Sequence, residues 1–162
     1  MRKNHSMLLR FIASAVLAAV LLTSCAGGAT TYEKQMELGR KYLTEMNYAE
    51  AIAAFTEAIK LNPDDVEAYM ARAEAYAALK KYDEATADYT TVIEKTNDQP
   101  YLQATAYIGR AGVSESTATI TDAESDYTAA LAQLEKDTDE QDADAVLTLK
   151  RDVLAKHAAV CV

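Results

Sequence analysis

Tryptophan is absent from this chain, and glycine, proline, cysteine and histidine are scarce, with 5, 2, 2 and 2 copies among 162 residues. So few Gly and Pro exclude an all-β sandwich, which needs a turn every ~8–12 residues. With five glycines and none suitably spaced, no phosphate-cradling loop of the P-loop or dinucleotide type can be drawn. Bases are short as well, 16 Lys+Arg against 25 Asp+Glu, a formal charge of −9. A surface that grips DNA or RNA needs basic residues facing phosphates, so nucleic acid is excluded as a partner. No apolar run reaches the ~20 residues of a spanning helix. What the chain does have is half its residues apolar, including 10 Tyr and many Ala. That is too apolar for disorder, and the length suits one domain at ~100–200 residues.

The first residues read as an address. Arg2, Lys3 and Arg10 precede a twelve-residue apolar stretch, Phe11–Leu22, interrupted only by Ser14. A positive n-region followed by an h-region of ~7–15 residues describes a secretory signal. Leu22-Thr23-Ser24-Cys25 then resembles the bacterial lipobox, an aliphatic residue and two small residues before a cysteine. The resemblance implies cleavage before Cys25, a diacylated (palmitate-type) Cys25 thiol and an acylated amino group. The other reading is an ordinary signal peptide with an incidental cysteine. Residues 1–24 carry three bases and no acid, so the remainder holds 13 bases against 25 acids, a charge of −12. Such a chain is repelled by anionic lipid, which leaves acyl chains at ~0.8 kcal/mol per buried CH₂ as the membrane anchor. The tether Ala26–Thr31 spans about 20 Å at most, at ~3.3–3.6 Å per residue. Ala26 after the cysteine resembles an outer-membrane sorting signal. The expected location is the extracytoplasmic side of a bacterial envelope: the outer membrane in a cell with two, the outer face in a cell with one.

A repeat fills the rest. Tyr42 aligns with Tyr76 at an offset of 34, carrying Tyr48 onto Tyr82, Ala51 onto Ala85 and Phe55 onto Tyr89. A third copy follows at an offset of 38, with Tyr107, Arg110-Ala111, Ala123 and Asp126-Tyr127 beneath Tyr69, Arg72-Ala73, Ala85 and Asp88-Tyr89. The four extra residues fall around Asn97-Asp98-Gln99-Pro100, a run of turn formers. Gly39, Ala73 and Ala111 are small where one helix must approach its partner, and Ala51, Ala85 and Ala123 are the facing small positions. Phe55, Tyr89 and Tyr127 fill the space beside them. Asn47 and Glu50 have capping-box spacing, and Asn62-Pro63-Asp64-Asp65 stops one helix and caps the next.

This pattern resembles the tetratricopeptide repeat. Its hallmarks stand as Leu38-Gly39, Tyr42, Ala51, Phe55, Ala58 and Pro63 in the first copy. The second has Tyr69, Ala73, Tyr76, Ala85, Tyr89 and Val92, with Asn97 for the proline. In the third, Ser114 replaces the aromatic of the first helix. The resemblance implies an all-α fold, a right-handed α-solenoid of about three helix pairs plus a C-terminal capping helix, seven helices in all. One repeat cannot bury its apolar face, so stacking and an end cap are required. The cap is read at the C-terminus, where Val146, Leu149, Val153 and Val160 form one stripe. Lys150, Arg151 and Lys156 stand off it, toward the end favoured for cations. The expected divisions are a signal peptide at 1–24, Cys25 and tether at 25–31, three repeats over 32–137, and an acidic break with the capping helix over 138–162.

Chemistry finds little purchase. His157 and Cys161 are spaced to share a helix face, but nothing near them in sequence completes a dyad or metal site. An EF-hand loop beginning at Asp137 would need Gly at position six and Glu at twelve, where Asp142 and Thr148 stand. No enzyme, cofactor or metal is expected. With Cys25 acylated, Cys161 lacks a partner within the chain, and an odd thiol in an exported protein can link two copies.

The leading reading is therefore a membrane-anchored adaptor for a protein or peptide, with a structural or self-assembling scaffold as the alternative and an enzyme or ligand carrier third. The tetratricopeptide resemblance implies a concave groove lined by the first helix of each pair. Carried over, its key residues are Met36, Glu37 and Arg40, then Met70, Ala71 and Glu74, then Ile108 and Gly112. The Lys/Asn clamp by which some relatives hold a C-terminal carboxylate is absent, because Met36, Arg40 and Glu74 occupy its places. An apolar floor of Met36, Met70 and Ile108 with an acidic rim suits a neutral or basic peptide or helix face.

Overall fold

The 34-residue alternation of small and large residues folds into antiparallel helix pairs. A computed structural model describes residues 31–136 and 143–160. Among them stand seven helices and no strand: α1 over 31–44, α2 Tyr48–Leu61, α3 Val66–Ala78, α4 Tyr82–Lys95, α5 Pro100–Ser116, α6 Ile120–Leu134 and α7 Ala143–Val160. The odd-numbered α1, α3 and α5 are the first helices of three repeats, α2, α4 and α6 the second, and α7 closes the stack. The signal segment, Cys25, the tether as far as Ala29-Thr30, the acidic run Asp137–Asp142 and Cys161 lie outside the described residues.

The turns within the three repeats share one construction. Each places a residue with positive φ just past the first helix: Met46 at 60°, Lys80 at 59° and Ala118 at 59°. The next amide reaches back five residues, Asn47 N–H to Tyr42 O at 2.8 Å, Lys81 to Tyr76 at 2.9 Å and Thr119 to Ser114 at 2.9 Å. These are Schellman closures, which satisfy carbonyls left open at a helix end. They replace the capping box expected at Asn47: its side chain makes no cap, because the backbone there (φ −85°, ψ 67°) is set by the closure. The side-chain Nδ2 of Asn47 instead donates to Glu45 Oε2 at 3.3 Å. Between repeats the expected cap does form, with the Asp65 carboxylate accepting from Glu67 N–H at 2.8 Å.

The four extra residues of the third repeat do not lengthen a loop. Residues 62–65 and 96–99 are connections of equal length, and α5 has 17 residues where α3 has 13. The insertion is one more helical turn, opened by Pro100 at the helix start, where its missing N–H costs nothing. Gln103 on that turn is buried and donates to Ile93 O at 2.8 Å, tying the end of α4 down.

Three core clusters follow, each made by two helices of a repeat and the first helix of the next element. Met36, Ala51, Phe55, Ala58, Ala68 and Ala75 form the first. The second joins Ala73, Ala85, Tyr89, Val92, Ile93, Ala106 and Val113. The third joins Ala104, Ala111, Ala123, Tyr127, Ala130 and Leu134 to Val146 and Val153 of α7, with Leu149 and Val160 packed against it. The stripe read at the C-terminus is thus the face by which α7 caps the solenoid.

Candidate partner-binding groove

Successive first helices carry their groove positions on one face, because residues three and four apart share a helix side. Met70 and Ile108 are half-buried, packed from below on the second and third clusters respectively, and Ala71 rests on the first. Glu37, Arg40 and Glu74 are exposed. Met36 departs from expectation: at 2% exposure it lies within the first cluster, against Ala and Phe side chains, and offers no surface to a partner. The apolar floor is therefore Met70 and Ile108, with Ala71 beside them.

Charge on the rim is partly cancelled. Arg40 Nη2 and Glu67 Oε1 pair at 2.6 Å across α1 and α3, both well exposed, so the pair contributes little stability in water. The Tyr32 hydroxyl donates to Asp65 on the same side. Among the described residues Glu74 makes no ion pair. Although its residue surface is largely open, partial desolvation of the carboxyl raises its pKa from the ordinary carboxylate value. Tyr89, itself buried, is pushed upward by that burial and by the charge of Glu74.

Two glycines of α5 differ in why they are there. A Cβ on Gly109 would meet the Tyr89 ring at 2.4 Å, so this glycine is a packing requirement. A Cβ on Gly112 would meet nothing within 4 Å. Mid-helix glycine costs about 0.8–1.0 kcal/mol relative to alanine, and at Gly112 no intramolecular contact explains it.

Other polar residues of the same helices were legible in the sequence only as register marks. Arg72 makes a two-pronged pair with Asp88 (both bonds 2.7 Å) and donates to Thr56 Oγ1 at 3.0 Å. Arg110 repeats this with Asp126 (2.9 and 2.7 Å) and Thr90 (2.9 Å). The recurrence of Arg-Ala and Asp-Tyr at the same repeat positions was the available clue. The Tyr127 hydroxyl donates to Glu115 Oε1 at 3.0 Å, tying α6 to α5. His157 is half-buried, and its Nε2 has no hydrogen-bond partner among the described residues.

Comparison with known proteins agrees with this geometry. Residues 36–100 match the family model described as tetratricopeptide repeat. Hsp70-Hsp90 organizing protein 3 of Arabidopsis thaliana is 40% identical over 65 residues, which are 40% of this chain and 12% of that protein. The chain thus spans only a small part of such a relative's length. Among solved structures, the TPR2B-domain:pHsp70 complex of yeast Sti1 is similar at a TM-score of 0.62 and 28% identity, over 78% of this chain and 98% of that one. PcrH in complex with the chaperone binding region of PopD reaches a TM-score of 0.70 over 82% of this chain and 92% of that one; at 18% identity the likeness is one of fold. The architecture is a tetratricopeptide-type right-handed α-solenoid of three helix pairs with a capping helix.

Proposed function

We propose that this chain is a non-catalytic adaptor, held at a bacterial envelope through an acylated Cys25, that captures a neutral or basic peptide segment or helix in the groove of α1, α3 and α5. The observation that carries the reading is Gly112. A bare stretch of helix backbone one turn on from half-buried Ile108 lets a partner approach where a side chain would block it. The similar yeast Sti1 domain is described in complex with pHsp70, which supports peptide capture as the use of such a groove. The ligand class differs here, since Met36, Arg40 and Glu74 stand where a carboxylate clamp would be. An unpaired, partly desolvated Glu74 favours a cationic side chain instead.

Crosslinked capture from native membranes tests this. Met70→Glu and Glu74→Lys should each lose the partner, with thermal stability nearly unchanged for Glu74→Lys. If Met70→Glu unfolds the domain, Met70 is core and the floor is misassigned. A basic partner pairs with ionised Glu74, so affinity should rise with pH through that titration, and Glu74→Gln should flatten the profile. A pH-independent affinity in the wild type argues against Glu74 as the contact. For the anchor, Cys25→Ala should abolish labelling by a fatty-acid analogue and leave a full-length precursor; normal labelling would overturn it.

One observation favours the scaffold reading. Leu147 (67% exposed) and Leu154 (55%) stand seven residues apart on the outward side of α7. Concentration-dependent dimerisation of the lipid-free chain, abolished by Leu147→Glu with Leu154→Glu, would support self-assembly through that side.

A further inference from the structure

The second and third repeats are nearly superimposable in their polar wiring, so each serves as a reference for the other. They differ around one point. Where α3 carries Tyr76, α5 carries Ser114; by the same repeat offsets Ile52 and Glu84 correspond to the smaller Thr86 and Asp122. In the second repeat the half-buried Tyr76 packs on the core and its ring centroid lies 5.7 Å from the Arg72 guanidinium, which also meets Tyr69 at 5.6 Å. Arg110 keeps every other contact of Arg72: the paired Asp126, the threonine hydroxyl of the preceding helix, and one ring, Tyr107, at 5.5 Å. The second ring is missing, and the Arg110 side chain is 24% exposed where Arg72 is 16%. In the ring's place is a cavity of about 290 Å³ lined by Thr86, Arg110, Ser114, Asp122, Ser125 and Asp126. Such a volume lies near the low end of small-ligand sites and leaves room for a single ring. The groove is elsewhere on α5: Arg110 and Ser114 are each two residues from a groove position, about 200° around the helix.

We propose that this cavity binds a phenol ring, supplied from outside, in the position that Tyr76 occupies against Arg72. A flat π face suits the guanidinium. A hydroxylated edge suits walls made of Ser, Thr and Asp, and carboxylates at Asp122 and Asp126 disfavour an anionic ring. The ring can be a free phenol or the tyrosine of a partner chain.

The test uses the full chain with three probes: p-cresol, N-acetyltyrosinamide and the anion 4-hydroxybenzoate. p-Cresol should give intermolecular NOEs to Ser114 and Arg110, and 4-hydroxybenzoate should bind at least about tenfold more weakly. Ser114→Tyr should supply the ring internally, raise the Tm and weaken p-cresol binding by about tenfold or more, while Ser114→Ala should retain it. N-acetyltyrosinamide binding as well as p-cresol points to a partner's tyrosine; p-cresol binding alone points to small phenols. If Ser114→Tyr fails to fold, the NOEs in wild type and Ser114→Ala decide. Absence of contacts to Ser114, or equal p-cresol affinity in a folded Ser114→Tyr, overturns the proposal.

Discussion

Met46, Lys80 and Ala118 each hold a left-handed backbone that side chains disfavour by roughly 1–2 kcal/mol. They do so because the Schellman closures around them fix where the second helix starts. Glycine would take the same conformation without a Cβ penalty, though it loses more entropy on folding. Lys80→Gly should therefore stabilise the domain by about 0.5–1 kcal/mol. Urea unfolding checks this; an unchanged or lower midpoint would mean that Lys80 contributes something the turn geometry does not show. Gly39→Ala should do the opposite. Its Cβ would meet the Phe55 ring at 2.5 Å in the first core cluster, an overpacking that costs about 1–3 kcal/mol. These two positions also mark what the sequence made visible. Gly39 was legible, because smallness opposite a large knob is a pattern. The left-handed turns were not: lysine, methionine and alanine are residues that a turn of this kind disfavours, so they carried no mark of it. At Asn47 and Glu50 the visible motif pointed to a capping box where backbone closure prevails.

Among the helices, Arg72 joins three at once: its own α3, α4 through Asp88, and α2 through Thr56. Asp88 is 6% exposed, so the pair is a buried one, and burial costs each charge solvation that the two-pronged geometry must offset. Breaking it from one side is worse than never having it. Arg72→Met, which leaves the carboxylate buried without a partner, should destabilise by about 3–5 kcal/mol, and adding Asp88→Leu should recover much of that loss. A double-mutant cycle by chemical denaturation measures both; single and double variants of equal stability would show the pair to be incidental. The pair was half legible. Arg-Ala and Asp-Tyr recur at fixed repeat positions, which set the register, but partners 16 residues apart on different helices cannot be matched without the helix crossing. The same holds for the groove. Helix-face spacing placed Met70 and Ile108 on one side, whereas the burial of Met36 follows from the residues around it in the first cluster, Phe55 and the alanines at 51, 58, 68 and 75, rather than from Met36 itself.

Across the whole molecule the three core clusters overlap only through α3 and α5, each of which gives one side to the cluster before it and another to the cluster after. Ala68 and Ala75 face back while Ala73 faces forward; Ala106 and Val113 face back while Ala104 and Ala111 face forward. Stability in such a stack is close to a sum of neighbour terms and not a single global quantity. That architecture makes α7 a local necessity. Val146 and Val153 complete the third cluster with Ala130, Tyr127 and Leu134, and neither belongs to the first or second cluster. Ending the chain at residue 142 should therefore raise amide exchange in α6 and the late part of α5 by orders of magnitude. Exchange in α2 and α3 should stay near its level in the full chain, where local opening is governed by the contacts that remain. Hydrogen-exchange mass spectrometry with peptide resolution distinguishes this from its alternative. Uniform loss of protection from α1 to α6 would mean that the three clusters fold as one unit and that the capping helix stabilises them all.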